Sequence, residues 1–248
     1  MMRMIAATVT LTLALVQPAI ATAAEIHVWT GRGFATVLAE VGPQFERASG
    51  HRLNVYSGLP TDFEKRLKAG DPLDLLISGS VDQWVKEGKL VAATRTDIAR
   101  SGIGVEVRAG TRKPDISSVE AFKRALLDAK SIAYLRVGSG IYVHGLLERL
   151  GIAEAVKSKV TRPESDIVSE LVAKGEVELG MVVITQILTT PGVELVGPLP
   201  PEIQSYVAFA AGVSVSSQAP DAATQLIRFL LGPTAIPVIK AQGMEPAL

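Results

Sequence analysis

The sequence predicts an α/β fold of two lobes, each a sheet built from βα units and flanked by helices, with two strands crossing between them. Three observations carry this reading. Short β-type runs alternate with helical patterns from residue 25 onward; the alternation breaks near residue 103 and restarts; and a second long apolar run, at 206–215, gives the chain a way back. Strictly alternating strands and helices call for a largely parallel sheet with right-handed crossovers and helices on both faces.

Residues 1–23 stand apart from the fold. One cation, Arg3, precedes an apolar stretch at 5–16, which is too short for the roughly 20 residues that span a bilayer. Ala21-Thr22-Ala23 fits the small-residue rule for leader cleavage, so a signal peptide is expected, with the mature chain beginning near Ala24.

The first βα series follows as strand 26–29, helix 34–48, strand 52–56, helix 62–68, strand 73–77 and helix 81–87. In the first helix Phe34, Val37, Leu38, Val41 and Phe45 recur at helical spacing and mark one buried face. The segment 103–108, with Gly102 and Gly104 beside it and the turn-rich Gly110-Thr-Arg-Lys-Pro114 after it, reads as a crossing strand. A second series comprises a helix opened by Ser117 or Ser118 with Glu120 nearby, strand 131–135, and helix 139–150 ended by Gly151. Strand 159–161, helix 165–174 stopped by Gly175, and strand 178–183 complete it. After Gly197-Pro-Leu-Pro-Pro201, the run 206–215 reads as the second crossing. Helices at 220–231 and after Gly232-Pro233 close the chain. The expected lobes are therefore 24–102 plus 206–248, and an inserted 103–205.

Composition narrows the function classes. With 25 Lys and Arg against 25 Asp and Glu, the chain lacks the concentrated basic face that nucleic acids require. The absence of cysteine excludes a disulfide framework, a thiolate metal site, a cysteine nucleophile and a lipid anchor on a cysteine at the cleavage site. His27, His51 and His144 have no metal-ligand spacing, so no metal and no cofactor are expected. Gly31 and Gly33 lack the third glycine of a dinucleotide loop, and no G-x-S-x-G elbow marks a serine hydrolase. A small-molecule partner remains.

Pro43-Gln-Phe-Glu-Arg-Ala-Ser-Gly-His51, Lys68-Ala-Gly-Asp-Pro-Leu-Asp74, Gly102-Ile-Gly-Val105, Lys113-Pro-Asp-Ile-Ser117, Leu146-Leu-Glu-Arg-Leu-Gly-Ile152 and Gly197-Pro-Leu-Pro200 are the distinctive segments of this chain. Together they resemble the molybdate-binding-like branch of the type II periplasmic solute-binding proteins, a branch that also includes aconitate isomerase-like proteins. The resemblance spans essentially the whole chain after the leader. It implies a ligand held between the lobes, where backbone N–H groups at helix starts and hydroxyl side chains bind an anion.

Four loops match those positions: Thr30-Gly-Arg-Gly33, Ser57-Gly-Leu-Pro-Thr61, Val137-Gly-Ser-Gly-Ile-Tyr142 and Arg162-Pro-Glu-Ser165. The candidate ligand-binding residues are Thr30, Gly31, Arg32, Gly33, Ser57, Thr61, Arg136, Ser139, Gly140, Tyr142 and Ser165. Ser139 also reads as the cap of its helix. Arg32, Leu59 and Arg136 depart from the family pattern, and two arginines at the cleft suit carboxylates, which the guanidinium fork matches in two-point fashion. By resemblance, the chain is expected to act as a periplasmic, unanchored, monomeric receptor that hands a small anion to an ABC-type permease by hinge closure. The alternative is a periplasmic isomerase of a tricarboxylate, with Tyr142, His144, Glu164 and Asp62 as candidate acid or base groups.

Overall fold

A computed structural model describes residues 23–165 and 167–247. The expected signal peptide lies outside the described residues except at its last position. The strands are β1 (Glu25–Thr30), β2 (Arg52–Ser57), β3 (Leu75–Ser78), β4 (Thr96–Arg108), β5 (Ile132–Tyr134), β6 (Val160–Thr161), β7 (Leu179–Val183), β8 (Val193–Pro198), β9 (Tyr206–Val213) and β10 (Glu245–Pro246). The helices are α1 (Arg32–Ser49), α2 (Pro60–Lys68), α3 (Val81–Lys86), α4 (Val119–Asp128), α5 (Ser139–Arg149) and α6 (Ala153–Val156), then α7 (Val168–Lys174), α8 (Ile184–Thr189), α9 (Pro220–Leu230) and α10 (Ala235–Ala241). Among the described residues no single helix is long and apolar enough to cross a membrane.

The strands follow the order β2-β1-β3-β9-β4-β7-β5-β6, with β8 and β10 also paired to β4. The outer strands of each half are parallel, β2-β1-β3 on one side and β7-β5-β6 on the other. The two crossing strands run antiparallel to each other and to their neighbours, so the sheet is mixed. β4 is the mechanical centre. Its residues from Thr96 to Gly102 pair with β9, and those from Ile103 onward pair with β7 and β8.

Helices cover both faces of each half, as near-continuous burial along β3 requires. In the first lobe the apolar stripe of α1 packs with Leu75 and Ile77 of β3 and with α9 and α10. On the opposite face Leu76 joins Trp29, Phe63 and Trp84, alternating with its neighbours as the two-residue period demands. The second lobe is more aliphatic, with Phe122, Leu126, Val143 and Leu147 against one face and Val168, Val172 and Ile187 against the other.

One polar junction locks the first lobe. Asp74, 2% exposed, accepts hydrogen bonds from the backbone N–H of His27 (2.8 Å), Gln218 (2.8 Å) and Ala219 (3.2 Å) and from the hydroxyl of Ser217 (2.7 Å), and lies 3.2 Å from His27 Nδ1. It thereby ties β1 and the approach to β3 to the segment entering α9. Burial pushes its carboxyl up, but the donors of His27, Ser217 and Gln218 outweigh that and hold it below the ordinary value.

Several expectations need correction. The helix expected from residue 165 begins at Val168, leaving Ser165 in the preceding loop. Ser139 is the first helical residue of α5 and not its cap, which is Gly138 with φ 58. The capping expectation at Ser118 holds, its hydroxyl accepting from Ala121 N at 3.2 Å. The sequence reading also lacks α6, α8, β8 and β10 and begins the first crossing strand seven residues late, at Ile103 where β4 starts at Thr96.

Candidate functional site

A cleft of about 690 Å³ opens between the two halves, lined on one side by Arg32, Ser57, Leu59, Thr61, Asp62 and Lys65 and on the other by Arg136, Val137, Glu164, Ser165 and Ile167. Each side is built by loops leaving the C-terminal ends of parallel strands. This is the position where open α/β sheets gather their ligands, because successive loops diverge there.

In the first lobe α1 starts at Arg32, with Gly31 extended at its N-cap (φ −72, ψ 154) and no side chain capping it. Phe34 N and Ala35 N both donate to Gly31 O, at 3.0 and 3.1 Å. The first turn of α1 carries neither a capping side chain nor an acidic residue, and Arg32 brings it to the edge of the cleft. Gly33 meets the second lobe: a Cβ there would lie 2.3 Å from Thr185 Oγ1, a fully buried hydroxyl with no hydrogen-bond partner of its own.

Arg32 pairs with Glu170 of α7, 138 positions away, and both side chains remain partly exposed. Leu59, from the loop entering α2, packs against the apolar cluster beneath α7. Around the cleft the lobes meet at the Arg32–Glu170 ion pair, at Leu59 and at Gly33, and further back Ile184 and Leu188 of α8 lie against Gly243.

The second loop is organised by Asp62, whose Oδ2 accepts from Leu59 N at 3.0 Å and whose Oδ1 lies 4.0 Å from Lys65 Nζ. Asp62 thus caps α2 while facing the cleft. Ser57 and Thr61 are exposed to it on either side.

In the second lobe Arg136 N donates to Pro163 O at 3.1 Å, and the Arg136 guanidinium lies 3.6 Å from Glu164. Both side chains are largely exposed. The turn into α5 depends on two glycines for different reasons. Gly138 has a positive φ, and at Gly140 a Cβ would fall 1.7 Å from Leu135 O, so helix and strand meet too closely for any side chain.

Of the residues expected at the site, the cleft brings together Arg32, Ser57, Thr61, Asp62, Arg136, Glu164 and Ser165. The others lie elsewhere. Thr30 is fully buried and donates to Ile77 O at 2.9 Å. Gly31, Gly33, Ser139 and Gly140 shape the two helix starts without lining the cavity. Tyr142 donates to Ile203 O at 2.8 Å under the guanidinium of Arg149, and His144 sits between Tyr134 (3.2 Å) and Glu148 (3.7 Å), so both belong to the body of the second lobe. Lys65, Glu170 and Thr185 were not anticipated. Only Lys65 carried a sequence signal, as a cation one turn into the helix that follows a cleft loop.

Fold and cleft together define a two-lobed binding protein whose polar groups converge from both halves. The chain belongs to the bacterial extracellular solute-binding protein family, whose model matches residues 26–245. It is 30% identical over 229 residues to an aconitate isomerase from Pseudomonas sp, covering 89% of this chain and 87% of that protein. It is 27% identical over 235 residues to a molybdate-binding protein of Azotobacter vinelandii, covering 90% of each. Among solved structures, the periplasmic molybdate-binding protein of Azotobacter vinelandii superposes with a TM-score of 0.74 at 21% identity, over 90% of this chain and 99% of that one. The sulfate-binding protein SubI of Mycobacterium tuberculosis H37Rv gives 0.74 at 19%, over 90% and 87%. At these identities the structural likeness speaks for the fold.

Proposed function

We propose that this protein is an exported receptor that captures a small multivalent carboxylate between its lobes and presents it to an ABC-type permease. The supporting observation is the convergence of Arg32, Lys65 and Arg136 on one cleft with the hydroxyls of Ser57, Thr61 and Ser165. Cations from both lobes allow one anion to bridge them, so that binding and closure are the same event. The guanidinium fork matches a carboxylate in two-point fashion, which suits a ligand held by charged donors from both lobes. In this reading residues 1–23 are the export leader, residues 24–102 with 206–248 form the fixed lobe, and 103–205 form the moving one. The receptor works as a monomer in the periplasm.

A second reading has a specific observation behind it, the 30% identity to an aconitate isomerase. Asp62 and Glu164 face the cleft and are its candidates for moving a proton on a bound tricarboxylate. Tyr142 and His144 are withdrawn from that role because neither reaches the cavity.

Thermal shift of residues 24–248 against sulfate, molybdate, succinate, tricarballylate and both aconitate isomers tests the first reading, because a ligand that binds only the folded state raises the melting temperature. Stabilisation by di- or tricarboxylates is expected. Stabilisation by sulfate or molybdate alone overturns the carboxylate assignment. Interconversion of cis- and trans-aconitate, abolished in Asp62→Asn or Glu164→Gln, would establish the isomerase.

A further inference from the structure

We infer that Glu170 is the specificity-determining residue of the cleft, an internal carboxylate that competes with the ligand for Arg32. The inference rests on the carboxylate reading above and deepens it. Glu170 reaches Arg32 from the opposite lobe, and its position is held from below. Val168 and Val172 bury one side of α7, and the adjacent Ser169, fully buried, donates its hydroxyl to Glu106 Oε1 of β4 at 3.0 Å. Glu106 is itself fully buried in a space that exists because residue 180 is glycine, where a Cβ would lie 2.4 Å from Oε1. The α7 backbone is therefore pinned to the crossing strand at the residue next to Glu170.

A ligand carboxylate that reaches Arg32 exchanges for Glu170. A monocarboxylate making that exchange gains no net ion pair. A second or third carboxylate meets Lys65 and Arg136 around the same cavity, whose own pairs, with Asp62 at 4.0 Å and Glu164 at 3.6 Å, are longer and more exposed and so give way at less cost. Glu170 accordingly acts as a threshold that rejects singly charged anions. The pair is about one-third exposed on each side, so it is weak enough for a ligand to displace.

A double-mutant cycle tests this, with Kd for succinate and tricarballylate measured by titration calorimetry on wild type, Glu170→Gln, Arg32→Gln and the double variant. Glu170→Gln is expected to tighten both ligands about tenfold and to make acetate binding measurable, and to have little effect once Arg32 is glutamine. Unchanged or weaker binding in Glu170→Gln overturns the proposal. So does an equal gain in the Arg32→Gln background, which would mean bulk electrostatics without exchange at Arg32. Should wild type bind sulfate and no carboxylate, the carboxylate reading fails, and the same cycle run with sulfate still decides the role of Glu170.

Discussion

Asp74 and Arg32 both join segments far apart in sequence, and the way each is satisfied differs. The hydrogen-bond partners described for Asp74 lie within the first lobe, four of these five contacts are donors from backbone or hydroxyl, and the side chain is almost fully shielded from solvent. Arg32 meets a carboxylate of the other lobe at a half-open site. A charge saturated within one lobe holds the fold, because nothing can replace its partners without unfolding it. A charge satisfied across the lobes is exchangeable, and exchange is what ligand capture needs.

The largest expected effect comes from breaking the saturated site. Asp74→Ala removes the acceptor of three backbone N–H donors, one of them buried and two part-buried, and of the Ser217 hydroxyl, and should lower stability by about 3 kcal/mol in urea denaturation. Ligand affinity of the protein that remains folded should stay within twofold of wild type; a larger loss would show that the junction also serves the cleft.

Acid sharpens the same point. Because the folded carboxyl of Asp74 titrates below its ordinary value of 3.8, its contribution is present above that pH and is lost as pH falls through the folded value. The stability difference between wild type and Asp74→Asn should therefore be constant from pH 7 to 5 and shrink below about pH 4. A difference that grows in acid would contradict the depressed carboxyl.

Next in size is Gly33→Ala. The added carbon would sit 2.3 Å from Thr185 Oγ1 and 3.3 Å from Thr185 Cβ. Overpacking of this kind costs about 1–3 kcal/mol, and here it opposes closure, so ligand affinity should fall about tenfold or more. Thr185→Ala in the same chain should restore most of it; no restoration would mean that the two residues do not meet in the bound form.

The smallest effect is expected at Arg136. Its pair with Glu164 is exposed, so Arg136→Ala should change stability by less than about 0.5 kcal/mol. It should still weaken carboxylate binding several-fold in calorimetry, while unchanged affinity would remove Arg136 from the site.

Much of the fold was legible because its signals are local. The stripe from Phe34 to Phe45 gives α1, Ser118 opens α4, and Gly50 and Gly175 end α1 and α7 in left-handed conformations. What escaped has no punctuation. Val182-Val-Ile-Thr-Gln-Ile-Leu188 passes from β7 into α8 with neither glycine, proline nor a capping side chain, so an apolar run reads equally as a longer strand. At the cleft, Arg32 and Arg136 were readable as departures in loops of known placement. Glu170 was not, since nothing near residue 170 announces a partner 138 positions away. Tyr142 could not be placed from sequence, since its hydroxyl goes to Ile203 O, a partner 61 positions away.

The place of β9 has a consequence for the order in which the chain is made. β3 and β4 follow one another in sequence, yet β9 lies between them in the sheet, and it is synthesised only after residue 205. Until then β3 and β4 each present an unpaired edge toward the same gap. On the other side of β4, by contrast, strands β5 to β8 are all made by residue 198. A ribosome would thus release the second lobe ready to fold while the first still waits for its central strand. Truncation before residue 206 removes a middle plank of the first lobe and not merely a tail, and the chain keeps its earliest-made lobe unfinished until almost the end of its synthesis.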